Sequence, residues 1–127
     1  MATFSVTIEV GSPDRRTWRE VSALVDTGAT FTWLPRVLLE ELGHVPTTTK
    51  PFQIAGGRII DADLGEVPVR IGKETLTTIC AFSENGDEAA LGAVTLEQFL
   101  LAPGPVNQRL VPVVGLAMRS LEEHGRP

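Results

Sequence analysis

Residues 3–10, "TFSVTIEV", put Phe4, Val6, Ile8 and Val10 on one parity and polar side chains on the other. A period of two is the mark of a half-buried strand. "GSPD" at 11–14 is turn chemistry. "TWREVSALVD" at 17–26 returns as a second strand, with Val21, Ala23 and Val25 on one parity and Trp18, Glu20, Ser22, Leu24 and Asp26 on the other. "TFTWL" at 30–34 is strand-like again. Pro35 suits the first position of a helix, where its missing N–H would be unbonded anyway. "PRVLLEELG" then predicts a helix of about two turns, with Leu38, Leu39 and Leu42 on one side and Gly43 as its stop.

From 52 to 82 the β signal dominates. "FQIAGGRII" has two arms around Gly56-Gly57, and "LGEVPVRIG" and "ETLTTICAF" form another pair around Gly72-Lys73; glycine supplies the positive φ that tight hairpins need. Pro68 inside this run predicts an edge or a bulge. "SENGDE" at 83–88 is a polar turn. "AALGAVTLEQFLL" passes through Gly92 into a second helix with Val94, Leu96, Phe99 and Leu100 as its apolar members, Thr95 and Gln98 as a weak capping box, and "APGP" as its end. "RLVPVVGLAM" predicts a last strand or two, and "RSLEEHGRP" a frayed polar tail. Seven or eight short strands with one or two short helices predict an all-β closed barrel or sandwich.

With 127 residues, 43% of them hydrophobic and 21% charged, the chain is expected to form a single domain over 1–127, with the polar tail from about 119 to 127. A net charge of −5 argues against a nucleic-acid footprint, which wants a basic stripe. The one adjacent basic pair, Arg15-Arg16, reads as a solvated loop. A single cysteine, Cys80, excludes an internal disulfide and a cysteine-based zinc site, and reads as a small buried hydrophobe. His44 and His124 fall in no metal spacing, and His44 reads as a loop residue at a helix end. No apolar stretch is long enough for a membrane helix, and the alternating N-terminus does not resemble a signal peptide, so a cytoplasmic location is the default expectation.

The chemistry concentrates at 22–34, "SALVDTGATFTWL". Asp26 ends an apolar strand and enters a tight turn. On Asp-Thr-Gly alone, a plain turn is the stronger reading: Asp accepts a backbone N–H, Thr adds a local bond and Gly takes the awkward φ. The flanks change the balance. Leu24 and Val25 before, and Ala29, Phe31, Trp33 and Leu34 after, place the loop within an apolar wall. A carboxylate buried there without a partner is costly. It must lie at a cleft or meet another polar group, and a two-fold dimer supplies one by setting the same residue beside itself. Two carboxylates about 3 Å apart share one proton, giving an acid and a base in one place. Water activated by such a pair hydrolyses an amide without a metal or a covalent intermediate. Signatures of other hydrolases are absent: no Cys-His pair is evident, and there is no Gly-x-Ser-x-Gly and no His-Glu-x-x-His.

The chain resembles the retropepsin-like aspartic proteases, the half-size homodimeric relatives of pepsin, over roughly residues 4–101. The resemblance rests on "ALVDTGAT" at 23–30, "QIAGGR" at 53–58 in the place of the flap, and "AALG" at 89–92 just before a helix. The order and spacing of the three agree, and the later "DEAALGAVTLEQFLLAPGPVNQRLVPV" looks like that of small microbial members. The resemblance implies a catalytic Asp26 from each subunit, Thr27 bonding across the pair and Gly28 letting substrate approach. It also implies substrate contacts at Ala29 and a flap tip of Ile54, Ala55, Gly56 and Gly57. The expected partners are a second copy of the chain and an extended peptide or protein substrate, with no cofactor, metal, nucleic acid or membrane. Ile54, Ile59 and Ile60 are candidate apolar subsites. Retroviral members usually carry Asp where Thr30 stands and Arg where Ala93 stands, an ion pair that braces their dimer; both charges are gone together here. "RLVPVVGLAM" is therefore expected to supply much of the subunit interface. The alternative reading is a catalytically silent binding or dimerisation module on the same fold.

Overall fold

The computed structural model describes residues 4–84 and 86–118; the expected tail at 119–127 lies outside them. Nine strands and two short helices follow in order: β1 (Ser5–Gly11), β2 (Trp18–Val25), β3 (Thr32–Pro35), α1 (Arg36–Glu41), β4 (Thr48–Gln53), β5 (Ile59–Ile71), β6 (Glu74–Ser83), β7 (Ala90–Leu91), α2 (Ala93–Phe99), β8 (Leu101–Pro103) and β9 (Leu110–Pro112). Seven strands form one sheet in the order β1-β2-β7-β3-β6-β5-β4. A further pairing of β1 with β5, Glu9 opposite Arg70 and Val10 opposite Val69, closes that sheet on itself. The fold is all-β, as the alternation along the chain implies.

Parity decides which side chains enter the barrel. Ile8 and Val10 of β1 and Ala23 and Val25 of β2 are buried, with Phe4, Val6 and Val21 packed against the same core. β6 lies between β3 and β5, with α2 packed against it, so both faces of its second half are covered and Cys80 to Ser83 are all buried. A doubly covered strand loses its alternation. Burial also pushes the Cys80 thiol up, which keeps it in the protonated, unreactive form.

The helix ends show where backbone geometry overrides the sequence pattern. Pro35 is not the first residue of α1. It ends β3 opposite Ser83, with an extended ψ of 133°, and stands just before the helix. The C-terminus is as predicted: Gly43 has φ +94°, its N–H donates to Glu40 O, and the His44 N–H donates to Leu39 O. This pair of bonds is the Schellman arrangement, which needs a left-handed residue at the position Gly43 holds. His44 is buried, with Nε2 2.7 Å from the Gly11 carbonyl oxygen. α2 ends earlier than its apolar pattern predicts, because Leu100 adopts φ +53° and is exposed. Pro68 introduces no bulge: the β5–β6 register runs through it opposite Thr77. On the other edge of β5, its pairing with β4 ends at Leu64 and its pairing with β1 begins at Val69. Pro68 thus occupies a stretch of edge where no N–H is required.

β7 and the start of α2 press against the turn between β2 and β3. A Cβ on Gly92 would stand 2.3 Å from the Phe31 carbonyl oxygen and 2.9 Å from the Thr32 nitrogen, both backbone atoms. Gly92→Ala should therefore destabilise the chain by about 2–3 kcal/mol, read as a lower urea midpoint with an unchanged slope.

Candidate active site

Asp26 follows the last residue of β2. Its backbone N–H donates to Leu91 O of β7 (3.0 Å), just as Leu24 N–H donates to Ala89 O (2.8 Å). The strand is thereby held up to the point where the chain turns. Asp26 Oδ1 accepts the Gly28 N–H at 3.0 Å, and Asp26 O accepts the Ala29 N–H at 3.1 Å. The outgoing arm is held from the other side: Ala29 O accepts the Ala93 N–H (2.8 Å) and Thr30 O accepts the Val94 N–H (2.9 Å). The first N–H groups of a helix have no partner within it. Here the loop carbonyls take that role, and no side chain caps α2. Thr95, read from sequence as a capping residue, lies inside the helix and is fully buried.

The hairpin of β4 and β5 crosses this loop. Its tip is a turn in which Gly57 N–H donates to Ile54 O (3.0 Å) and Ile54 N–H to Arg58 O (2.9 Å). Gly56 and Gly57 have φ of +92° and +87°, conformations that side chains resist. Phe52, at the base of this tip, stands edge-on to Phe31 at 6.0 Å and to Trp33 at 5.4 Å. Such contacts add to simple burial. They tie the hairpin to residues just beyond the Asp26 turn. Between the two lies a cleft of about 410 Å³ lined by Asp26, Gly28, Ala29, Thr30, Trp33, Phe52, Gln53, Ile54 and Ala55. Asp26 is the one titratable side chain in that lining, and no cation pairs with it among the described residues.

The family model for aspartyl proteases matches residues 6–94, from β1 into α2. The chain belongs to the aspartyl protease family, in its retropepsin-like clan. No curated protein matches it. The matched stretch contains all three features described above: the Asp26 loop, the glycine-tipped hairpin and the Gly92 contact.

Of the site residues expected from sequence, Asp26, Gly28, Ala29, Ile54 and Ala55 line one cleft. Thr27 is exposed at the turn, and Gly56 and Gly57 form the exposed hairpin tip beyond the lining. The three isoleucines separate. Ile54 faces the Asp26 cleft, Ile60 lines a second cavity of about 320 Å³, and Ile59 is exposed. Trp33 borders both cavities. Among the described residues no group of three His, Cys, Asp or Glu side chains could hold a metal ion. No described helix is long and apolar enough to cross a membrane.

Sequence reading missed the aromatic wedge around Phe52, and it missed the support at the foot of the hairpin. There Arg36, the first residue of α1, donates to Asp63 of β5 at 2.8 Å and lies 5.2 Å over the Phe82 ring, while Thr49 of β4 donates to the same Asp63. The Arg36 guanidinium and then the Thr49 hydroxyl hold the Asp63 carboxyl below its ordinary value, and the same bond holds Arg36 up. A depressed carboxyl pKa contributes stability above the unfolded-state pKa that is lost as pH falls through the folded one. Asp63→Asn should therefore lower the melting temperature at neutral pH by a few degrees at most, since the pair is solvent-screened. The gap from the parent should close on acidification, in melts recorded from neutral to acid pH.

Proposed function

We propose that the chain is a homodimeric aspartic endopeptidase that hydrolyses extended peptides with a water held between two copies of Asp26. The supporting observation is the cleft itself. A single carboxylate sits under a glycine-tipped hairpin, on a loop of the aspartyl protease family, with no second acid in the lining. One carboxylate can act as a base, but it has no partner to protonate the carbonyl oxygen of the scissile bond. A second copy related by a two-fold axis supplies that partner, and the pair holds one proton between them. One Asp26 then takes a proton from water while the other gives its proton to the carbonyl oxygen. Collapse of the tetrahedral species with protonation of the leaving nitrogen releases the two halves of the peptide. Thr27 bonds across the axis and Gly28 leaves room for substrate. Ile54 and Ala55 lie over the peptide, and Gly56 and Gly57 let the flap open and close.

The exposed face that a second copy would cover lies in the C-terminal segment. Leu110 packs against the core and β9 pairs with β8, so the beginning of "RLVPVVGLAM" belongs to its own subunit. Beyond it Val114, Leu116 and Met118 are each more than 90% exposed, an apolar run that a solitary molecule would leave in water. The subunit contact is assigned to this part. Truncation after Pro112 keeps β9 and should convert the dimer to a monomer in sedimentation, with loss of peptide cleavage. An active dimer after truncation would remove this segment from the interface.

Asp26→Asn should leave the melting curve in place and lower the turnover of an extended-peptide library by about 10²–10⁴-fold. In the parent, a statine-type transition-state mimic should bind at least about 10²-fold tighter than the matching peptide. The pH–rate profile should be bell-shaped, because one carboxyl of the pair must be charged and the other neutral. A parent that binds extended peptides but never cleaves them, and shows no preference for the mimic, would identify a silent binding module on the same fold.

A further inference from the structure

Three threonine hydroxyls meet in the interior. Thr32 opens β3, Thr78 is on β6 and Thr95 is on α2; their residues are 0%, 1% and 0% exposed. The Gly92 N–H donates to Thr32 Oγ1 at 3.0 Å, and the Thr32 hydroxyl donates to Thr95 Oγ1 at 2.7 Å. Thr95 Oγ1 and Thr78 Oγ1 lie 2.8 Å apart. Thr95 is the hub, since it touches both of the others. Each hydroxyl carries one proton, so the chain of bonds is satisfied only when all three are present.

The location gives this cluster a role. Asp26 and Thr32 bracket the catalytic turn. The turn carbonyls of Ala29 and Thr30 are bonded to the Ala93 and Val94 N–H groups of α2. The position of α2 therefore sets the position of the loop. On the very next residue of the same helix, Thr95 fixes α2 to β3 and β6. Thr30 and Ala93, the facing positions on loop and helix, are uncharged, so no ion pair holds the two together there. We propose that Thr95 is a positioning residue for Asp26: its hydroxyl sets the distance between α2 and the catalytic turn and, through it, the placement of the carboxylate. This rests on the peptidase reading for its effect on turnover, but the effect on the loop stands without it.

Two variants and two readouts test the role. Thr95→Val keeps the shape and removes the hydroxyl; Thr95→Ser keeps the hydroxyl and removes the methyl group. In the full-length protein, Thr95→Val should accelerate hydrogen exchange at the Gly92, Ala93 and Val94 amides by about tenfold or more. The β5–β6 hairpin amides should stay within about threefold. It should lower kcat on the peptide library by about tenfold with KM little changed, since a misplaced carboxylate harms the reaction more than binding. Thr95→Ser should restore both readouts to near the parent. Unchanged exchange at the three amides in a folded Thr95→Val protein would overturn the proposal, and so would a Thr95→Ser variant as impaired as Thr95→Val, which would assign the effect to packing. If the parent cleaves no peptide, the peptidase reading fails and the exchange pattern alone decides the role of Thr95. Should Thr95→Val not fold, Thr78→Val removes the outer partner only; it should show the same exchange pattern to a smaller degree, and no change there would equally overturn the proposal.

Discussion

The rest of the site depends on a tight meeting of two stretches of backbone. Gly92 lies so near Phe31 and Thr32 that no side chain fits between them. This contact lets the first turn of α2 meet the carbonyls of the Asp26 loop directly. The loop is then held by hydrogen bonds from β7 on one side and from α2 on the other. Loops are ordinarily mobile because water can satisfy their backbone as well as protein can. Here the two arms of the turn, at Asp26 and at Ala29 and Thr30, are held by protein partners instead. This anchoring limits where the Asp26 carboxylate can stand in the cleft.

The same design recurs above the cleft with other forces. The β4–β5 hairpin has few bonds at its tip but is held at its foot. Phe52 inserts between Phe31 and Trp33, and the Arg36–Asp63–Thr49 cluster joins α1, β5 and β4. These contacts set the hairpin's direction over the cleft. Both halves of the cleft are referred to one short segment, because the residues after the Asp26 turn also provide the aromatic seat for the β4–β5 hairpin.

Several polar groups in the interior are satisfied in pairs or chains, the buried Ser83 hydroxyl being an exception among the described residues. The threonine cluster, the His44 contact to the Gly11 carbonyl and the loop carbonyls capping α2 each solve a backbone or hydroxyl requirement locally. Leaving any one of these groups unpaired in a buried site costs about 1–3 kcal/mol. This couples the stability of the barrel to the geometry of the loop at its edge.

Much of this was legible along the chain. Alternation identified β1 and β2 and their inward faces, Gly56-Gly57 and Gly72-Lys73 marked two hairpins, and the apolar strand running into Asp-Thr-Gly pointed to the cleft. These are local properties, written in the spacing of neighbours. The strand Thr48–Gln53 begins in a run of exposed polar residues and has no alternation to read. β8 and β9 are three residues each, too short for a period. Thr95 resembles a helix cap from its neighbours alone, and becomes the centre of a buried network only because Thr32 and Thr78 arrive from 63 and 17 residues away. Phe52 and Arg36 acquire their partners in the same way. The chain by itself determined which segments could be strands and turns, since short-range sterics and burial periodicity act on adjacent residues. Closure of the barrel decided which distant backbone and side chains would meet, because those contacts depend on three-dimensional proximity that no local spacing encodes.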